Sequence, residues 1–527
     1  MKILFVATGW ENISIEYLSS YLKARGHQTG LAYDQALFDD KNYVCIPWLY
    51  RLLDQKENCL RQIIDFQPDL VAFSVMSVTF QWALGMAELV KKHLDVPIIF
   101  GGAHPSSVPE VVIKKDAVDM VCLGEGEEAM TDLCKALEKK EVRYDIPNIW
   151  FKKDGQVYRN ERRPQIGDIN TLPFLDKELF SRHIPIKNYY VAVIARGCPY
   201  QCSYCYVSHD TKEAKKTGGR AVRERTVDNV LEELKCMKEK FRYRWIDFRN
   251  SVFSTSPEWT TEFCRRYKEE INVPFRIFSH PKLIWNDTVA IALREAGCFA
   301  VQVGLESFDE DLRKNVLNRN MTNEEIFRAV DILERNRLSY SLDYILGIPG
   351  QTEEECIRAA EFFSKLHYCH RISPFMCQYL PGLDLLNHSR KKESLSVQEI
   401  DRINEGLHGN YMSGGSVVDE KYDTFIVYKI FFRSMSFMPP WLKKMLVKRK
   451  VYIFLKMAPR FFASLIKLFD LLILIKDLDA RTYFYNYCWW FFRRFDPRHP
   501  SFWFYGRKYR SEVHKHFRTK IASAGSC

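Results

Sequence analysis

Apolar residues along the first third of the chain fall into two alternating rhythms. Lys2-Ile-Leu-Phe-Val-Ala7 is a short, unbroken apolar run behind a charge, the pattern of a strand buried on both faces. Ile13 to Lys23 spaces its apolar residues as an amphipathic helix and stops near Gly26. The cycle recurs with a strand at Asp69–Ser74, a helix at Phe80–His93 and strands at Val96–Phe100 and Ala117–Leu123. Gly124-Glu-Gly-Glu127 then opens a helix that runs through Leu137. Strands alternating with helices predict an α/β fold with a doubly wound, Rossmann-like sheet. Ligands of such sheets lie at the carboxyl ends of the strands. The turns at Ser74, Gly101-Gly102 and Gly124-Glu125-Gly126 all fall there. Glycine in these turns lets backbone approach a bulky ligand. Short glycine turns are also ordinary punctuation after strands, and the pattern alone leaves both readings open.

Residues 141–188 read as a linker. Lys153-Asp-Gly155 sits between short runs at 148–151 and 156–158 and predicts a hairpin, while Pro164, Pro173 and Pro185 discourage long elements. From 189 to 390 six strand-like runs follow, at 190–195, 244–249, 274–279, 298–304, 339–346 and 371–379. Helical stretches such as Val227–Lys240 and Asn323–Arg335 separate them. Six βα units are fewer than the eight of a closed barrel, so a partial barrel is expected.

Charge divides the chain unevenly. The formal net charge is +11, yet residues 421–527 hold 22 Lys/Arg against 6 Asp/Glu, leaving −5 on the remaining 420 residues. The same end carries 27 of the 74 aromatic residues. A basic, aromatic-rich, mostly helical C-terminal domain over 391–527 is expected. Its longest apolar stretch, Val451–Ile475, is broken by Lys456, Arg460, Lys467 and Asp470, so it is no spanning helix. At 100° per residue, positions 456, 460, 467, 470, 477 and 481 fall within about 100° of one another. One polar stripe on a wide apolar helix suits peripheral contact with a membrane surface. It equally suits a helix packed on the barrel. Aromatics with basic residues also bind nucleic acid, but solid runs such as Trp489-Trp-Phe-Phe492 favour core or lipid, so no nucleic acid is expected. No signal peptide opens the chain, and a reducing cytoplasm is the expected location of its fifteen cysteines.

Three of those cysteines carry the chemistry. Cys198-Pro-Tyr-Gln-Cys202-Ser-Tyr-Cys205 follows the run 190–195 directly, with spacing C-x3-C-x2-C. Three thiolates on one tight loop can hold three irons of a [4Fe–4S] cube and leave the fourth open. A zinc site normally draws on four ligands, with C-x2-C pairs or histidines, and the other twelve cysteines are scattered.

These motifs carry a resemblance. Pro68-Asp-Leu-Val-Ala-Phe-Ser74, Gly101-Gly-Ala-His-Pro105 and Val118-Asp-Met-Val-Cys-Leu-Gly-Glu-Gly-Glu127 resemble the cobalamin-binding domain fused to radical S-adenosylmethionine (SAM) enzymes, over residues 1–140. The cysteine loop, with Tyr204 before its last cysteine and Arg196-Gly197 before its first, resembles that family's cluster motif. Val303-Gly-Leu-Glu306-Ser307, Leu346-Gly-Ile-Pro-Gly350-Gln-Thr-Glu353 and Tyr379-Leu-Pro-Gly382 match the text ending strands four, five and six of its partial (β/α)6 barrel. The resemblance covers about residues 1–390. It implies three cofactors: a [4Fe–4S] cluster on Cys198, Cys202 and Cys205, SAM, and cobalamin. It implies SAM contacts at Tyr204, Glu306, Ser307, Gly347 and Gly350, and cobalamin contacts at Ser74, Gly101, Gly102, His104, Gly124, Glu125 and Gly126.

The resemblance also implies methyl transfer to an unactivated carbon or phosphorus of a small molecule. Cyclisation or oxidation without methyl transfer is the alternative, and a non-catalytic iron–sulfur protein is the alternative of another class. An electron donor such as flavodoxin or ferredoxin is implied, and the apolar tail admits a lipophilic substrate. The sequence departs from the family in four places. The DxHxxG motif, whose histidine binds cobalt from below, is absent, and His104 lies outside that context. Paired Asp after strand two is replaced by Asp247-Phe-Arg249-Asn250, Phe308 stands where glycine is usual, and His280 stands where arginine is common.

Overall fold

The structure, a computed structural model, describes residues 1–39, 46–141, 143–391, 395–407, 422–457, 459, 461 and 477–523. Two parallel sheets organise the chain. The first holds β1 (Lys2–Thr8), β2 (Gln28–Asp34), β3 (Leu70–Ser74), β4 (Ile98–Gly101), β5 (Met120–Cys122), β6 (Ile149–Lys153) and β7 (Gln156–Tyr158) in the order β2-β1-β3-β4-β5-β6-β7. The first five are parallel, while β6 and β7 pair antiparallel at the edge. The unbroken apolar run of β1 has its cause here: Ile3, Phe5 and Ala7 enter one core while Leu4 and Val6 enter another on the opposite face. The hairpin expected inside the linker is therefore the last part of this sheet, which continues past residue 140.

The second sheet runs β8 (Tyr190–Ala192), β11 (Ile246–Phe248), β12 (Phe275–Ser279), β13 (Cys298–Glu306), β14 (Tyr340–Leu346) and β15 (Cys369–Met376), all parallel in chain order. This is the open six-stranded barrel. Between β8 and β11 a short antiparallel ribbon, β9 (Ala195–Gly197) with β10 (Val222–Glu224), leaves the sheet beside the cysteine loop. One hydrophobic core extends from one face of the first sheet into the barrel, so the two units pack as one body.

The C-terminal region is helical, with helices at Tyr422–Met435, Pro440–Lys448, Leu478–Arg493 and Arg510–Ser523. Helix Leu478–Arg493 closes the amino-terminal end of the barrel. Leu478 joins Tyr189, Trp245 and Phe299 there, and the Trp245 indole donates to Thr482 Oγ1 at 3.0 Å. Asp479 meets Arg276 at 2.7 Å, and Asp477 meets Arg371 at 2.8 Å. Helix Arg510–Ser523 returns to the first sheet's outer helix, where Gly85 gives Phe517 room: a Cβ there would stand 2.7 Å from the ring.

The expected polar stripe does not continue on one helix to position 481, because Asp477 has extended backbone. Positions 460, 467 and 470 lie outside the described residues, and a new helix starts at Leu478. Asp477, on the expected polar stripe, is buried as that helix's N-cap. Among the described residues no helix is long and apolar enough to cross a membrane.

Candidate active site between the carboxyl ends of two sheets

Glycine launches the cysteine loop. Gly197 ends β9 at φ +91°, and a Cβ there would lie 2.1 Å from the carbonyl oxygen of Ala221, just before the partner strand β10. The chain turns into Cys198, passes the buried Cys202 and enters helix Tyr206–Lys216 immediately after Cys205. The loop is pinned to the segment after β13: Ser203 N donates to Leu317 O at 2.8 Å, and its hydroxyl to Val316 O at 2.7 Å. Burial, with Cys205 and Cys202 nearby, pushes the Cys198 thiol up to about 11. Burial also raises Cys205, against the opposing pull of the Ser208 and Val207 N–H groups at the helix start.

Arg319 supplies the counter-charge. Its guanidinium donates to Cys202 Sγ at 3.4 Å and to Gly304 O at 2.5 Å. Burial opposes its charge, but Tyr204, Glu306 and Cys202 outweigh burial and hold it firmly protonated. Glu306 sits beside it at φ +70°, an αL conformation that is uncommon outside glycine. Burial pushes its carboxyl up to about 7 against the pull of Arg319. His280 stacks on Tyr200 of the cysteine loop at 3.7 Å between ring centroids, and its Nδ1 accepts from Lys282 N. Asp247 and Arg249 pair with each other at 2.7 Å, and Asp247 also takes Arg276 at 2.8 Å.

Ser307, expected at SAM, gives its hydroxyl to Glu355 Oε1 at 2.8 Å. Phe308 N and Tyr344 OH donate to the same oxygen, each at 2.6 Å. Gln351 binds the other Glu355 oxygen at 2.6 Å and accepts from Gly347 N at 2.7 Å. This hub ties the turn Gly347–Gly350 to the end of β13. Gln351 lies inside the motif that ends strand five, while Glu355, four residues on, stands just beyond it.

The carboxyl end of the first sheet faces this loop. Ser74 pairs with Gly101 across β3 and β4. Gly102 has φ +96°, and a Cβ there would come within 2.8 Å of Val75 N, so the chain's own packing already requires glycine. His104 turns into the protein: it is 1% exposed, its Nδ1 meets Ser77 Oγ at 3.0 Å and its ring lies on Phe80. Gly124 N donates to Ser106 Oγ at 3.0 Å, and Gly126 caps the helix Glu127–Glu138. Glu125 is held by two barrel arginines, Arg196 at 2.9 Å and Arg223 at 2.7 Å. The Gly382 turn after β15 rests on Ser107, so the carboxyl ends of both sheets meet across one interface.

Residues 192–363 match the radical SAM superfamily, and residues 5–134 match the B12 binding domain. The chain thus carries a radical SAM domain and a B12-binding domain. Its cofactors are a [4Fe–4S] cluster, SAM and cobalamin, as those two domains imply. The chain is 26% identical to an uncharacterized methyltransferase of Pyrococcus horikoshii over 57% of this chain and 65% of that relative. It is 23% identical to an anaerobic magnesium-protoporphyrin IX monomethyl ester cyclase of Rubrivivax gelatinosus, over 66% of this chain and 61% of that one. It thus spans less than two thirds of either relative's length.

Among solved structures, the cobalamin-dependent S-adenosylmethionine radical enzyme OxsB with aqua-cobalamin bound matches 99% of this chain and 80% of its own. The TM-score is 0.62 at 15% identity. The methyltransferase TsrM from Kitasatospora setae, with cobalamin and a [4Fe–4S] cluster, matches 74% and 75% at a TM-score of 0.59 and 16% identity. These likenesses are of fold. The OxsB match runs through the basic C-terminal region, which the sequence sets apart by composition alone.

The site fits the cluster by the chemistry of its donors. Three free thiols share one loop, and the one most deeply buried already faces a cation. A cube spreads its ligands over separate irons.

Proposed function

We propose that the chain is a cobalamin-dependent radical SAM methyltransferase acting on an unactivated carbon, or phosphorus, of a small lipophilic molecule. The observation that carries this reading is the interface itself, where the cysteine loop and the carboxyl edge of the B12-type sheet face each other. When bound, the cluster with SAM supplies a 5′-deoxyadenosyl radical that removes a substrate hydrogen, and cobalamin supplies the methyl group. In this reading Cys198, Cys202 and Cys205 hold the cluster and Arg319 balances thiolate charge. Tyr204, Glu306, Ser307, Gly347 and Gly350 bound the SAM site. Ser74, Gly101, Gly102, His104, Gly124, Glu125 and Gly126 would form the loops that hold cobalamin, with His104 serving the loop through Ser77 and Phe80. A flavodoxin or ferredoxin delivers the electron.

The named cyclase relatives support a second reading, oxidative cyclisation without methyl transfer. One experiment separates the two. Anaerobically reconstituted protein is supplied with methyl-deuterated SAM, cobalamin, a reductant and an anaerobic lipid extract. Methyl transfer predicts 5′-deoxyadenosine together with a product heavier by a deuterated methyl group. Product formed without deuterium would sink it in favour of cyclisation.

A surface outside the barrel supports peripheral membrane contact. Trp441, Ile453, Phe454, Met457 and Phe461 are all more than half exposed, beside exposed Lys444, Lys448, Arg449 and Lys450. In this reading an anionic lipid surface binds here and supplies the lipophilic substrate.

A further inference from the structure

Glu125 lies in the glycine turn after β5, at the edge where a sheet of this order binds its ligand. Its carboxylate is committed elsewhere. Arg223 binds it with two parallel bonds, Nη2 to Oε1 at 2.7 Å and Nη1 to Oε2 at 3.0 Å. Arg196 adds Nη1 to Oε1 at 2.9 Å and sends Nη2 to Glu127 Oε1 at 2.6 Å. The two arginines are directly opposed in the β9–β10 ribbon, so a rigid pairing presents both. The carboxylate also accepts from Ile166 N at 3.2 Å, and Asn148 Nδ2 ties the Glu125 carbonyl at 2.8 Å. Arg196 stacks over the Tyr17 ring at 4.6 Å.

Arg223 and Glu127 are buried, and Arg196 and Glu125 nearly so. Burial pushes the Glu125 carboxyl up, and the two arginines pull it below its ordinary range. A bidentate carboxylate pair fixes direction as well as distance. Arg196 stands two residues before Cys198, and Glu125 stands between Gly124 and Gly126. The clamp therefore joins the start of the cluster loop to the middle of the loop under cobalamin, with no flexible segment between.

We propose that Glu125, through Arg196 and Arg223, is a positioning residue that sets the separation of the cluster and cobalamin. It rests on the cobalamin-dependent reading above. Radical formation needs only the cluster and SAM, whereas transfer to substrate needs all partners within contact. Loosening the clamp then uncouples the two.

The test uses the full chain. In Glu125→Gln, hydrogen exchange without added cofactors should quicken together at 122–127 and 195–205. With both cofactors loaded, the relaxation enhancement that cob(II)alamin imposes on the reduced cluster signal should weaken. 5′-Deoxyadenosine released per methylated product should rise on the order of 10-fold, since small misplacements carry up to 100-fold costs. Glu125→Asp, which keeps the charge, should recover part of each effect and serves if the glutamine variant does not fold. Arg159→Gln, which breaks an exposed pair with Glu110, is the control. Unchanged exchange at 195–205 and an unchanged relaxation enhancement in Glu125→Gln would overturn the proposal, even with a lowered melting temperature. If the unaltered chain holds no cobalamin, the underlying reading fails, and the exchange result still decides whether Glu125 couples the two loops.

Discussion

At the scale of single residues, the cluster loop behaves as a set. Cys198, Cys202 and Cys205 share one turn, whereas Cys264 and Cys298 are buried in the core and Cys236 is exposed on a helix. Replacing the three loop cysteines with Ala should abolish the iron–sulfur absorbance and all SAM cleavage, as measured by iron and sulfide content and 5′-deoxyadenosine release. Altering Cys236, Cys264 or Cys298 should leave iron content unchanged. Four irons retained in the triple variant would refute the assignment. The buried, inward-facing His104 makes a second residue-level prediction. Electron paramagnetic resonance of cob(II)alamin on the protein should show no nitrogen superhyperfine splitting. A triplet splitting would mean a nitrogen ligand to cobalt, with His104 the first protein candidate, to be separated from the cofactor's own base by His104→Ala.

At the scale of elements, the ends of β13 and β14 stay together because Glu355 accepts from both. Its position in the first turn of helix Glu353–Phe363 aims a carboxylate at the N–H and O–H groups of Ser307, Phe308 and Tyr344. Replacing Glu355 with Leu leaves these buried donors unmatched, at a cost on the order of 3 kcal/mol. Urea unfolding should register that loss, and SAM affinity should fall with it as the Gly347–Gly350 turn loosens. A stable variant with normal SAM binding would show that the hub does not support the site. The strands themselves were legible because buried parallel strands read as short apolar runs. Their carboxyl-end partners were not, because Arg319, Gln351 and Glu355 reach the site from the following turns.

At the scale of the whole molecule, the C-terminal region divides into a part packed into the body and a part that carries the proposed membrane contact. Residues 477–523 are part of the body: Asp477, Asp479 and Thr482 bind the barrel, and Phe517 packs on Gly85. Removing residues 477–523 would strip these contacts from the body, so surface substitution is the better probe of membrane contact. Each Lys or Arg near an anionic lipid surface contributes about 1 kcal/mol, and Lys444, Lys448, Arg449 and Lys450 are all exposed. The intact chain should float with anionic vesicles at low salt and less at high salt. Serine at Ile453, Phe454 and Met457 together should cut the bound fraction several-fold while leaving the circular dichroism spectrum unchanged. An intact chain that stays at the bottom under low salt would end the membrane reading.

The sequence by itself determined the two sheets and set out the cysteine loop and the family resemblance, because each is written locally. Strand and helix periods repeat over a few residues, and three cysteines on one turn need no distant partner to be recognised. The meaning of Glu125, His104 and Asp477 was decided only by the tertiary structure. Each reads as a loop or surface polar residue, and each is claimed by a group far along the chain or turned inward: Arg196 and Arg223 for Glu125, Ser77 and Phe80 for His104, Arg371 for Asp477. A charge near a ligand edge announces that it needs a partner. Which partner it takes depends on how the two sheets are brought face to face, and that is set by a shared core no single segment contains.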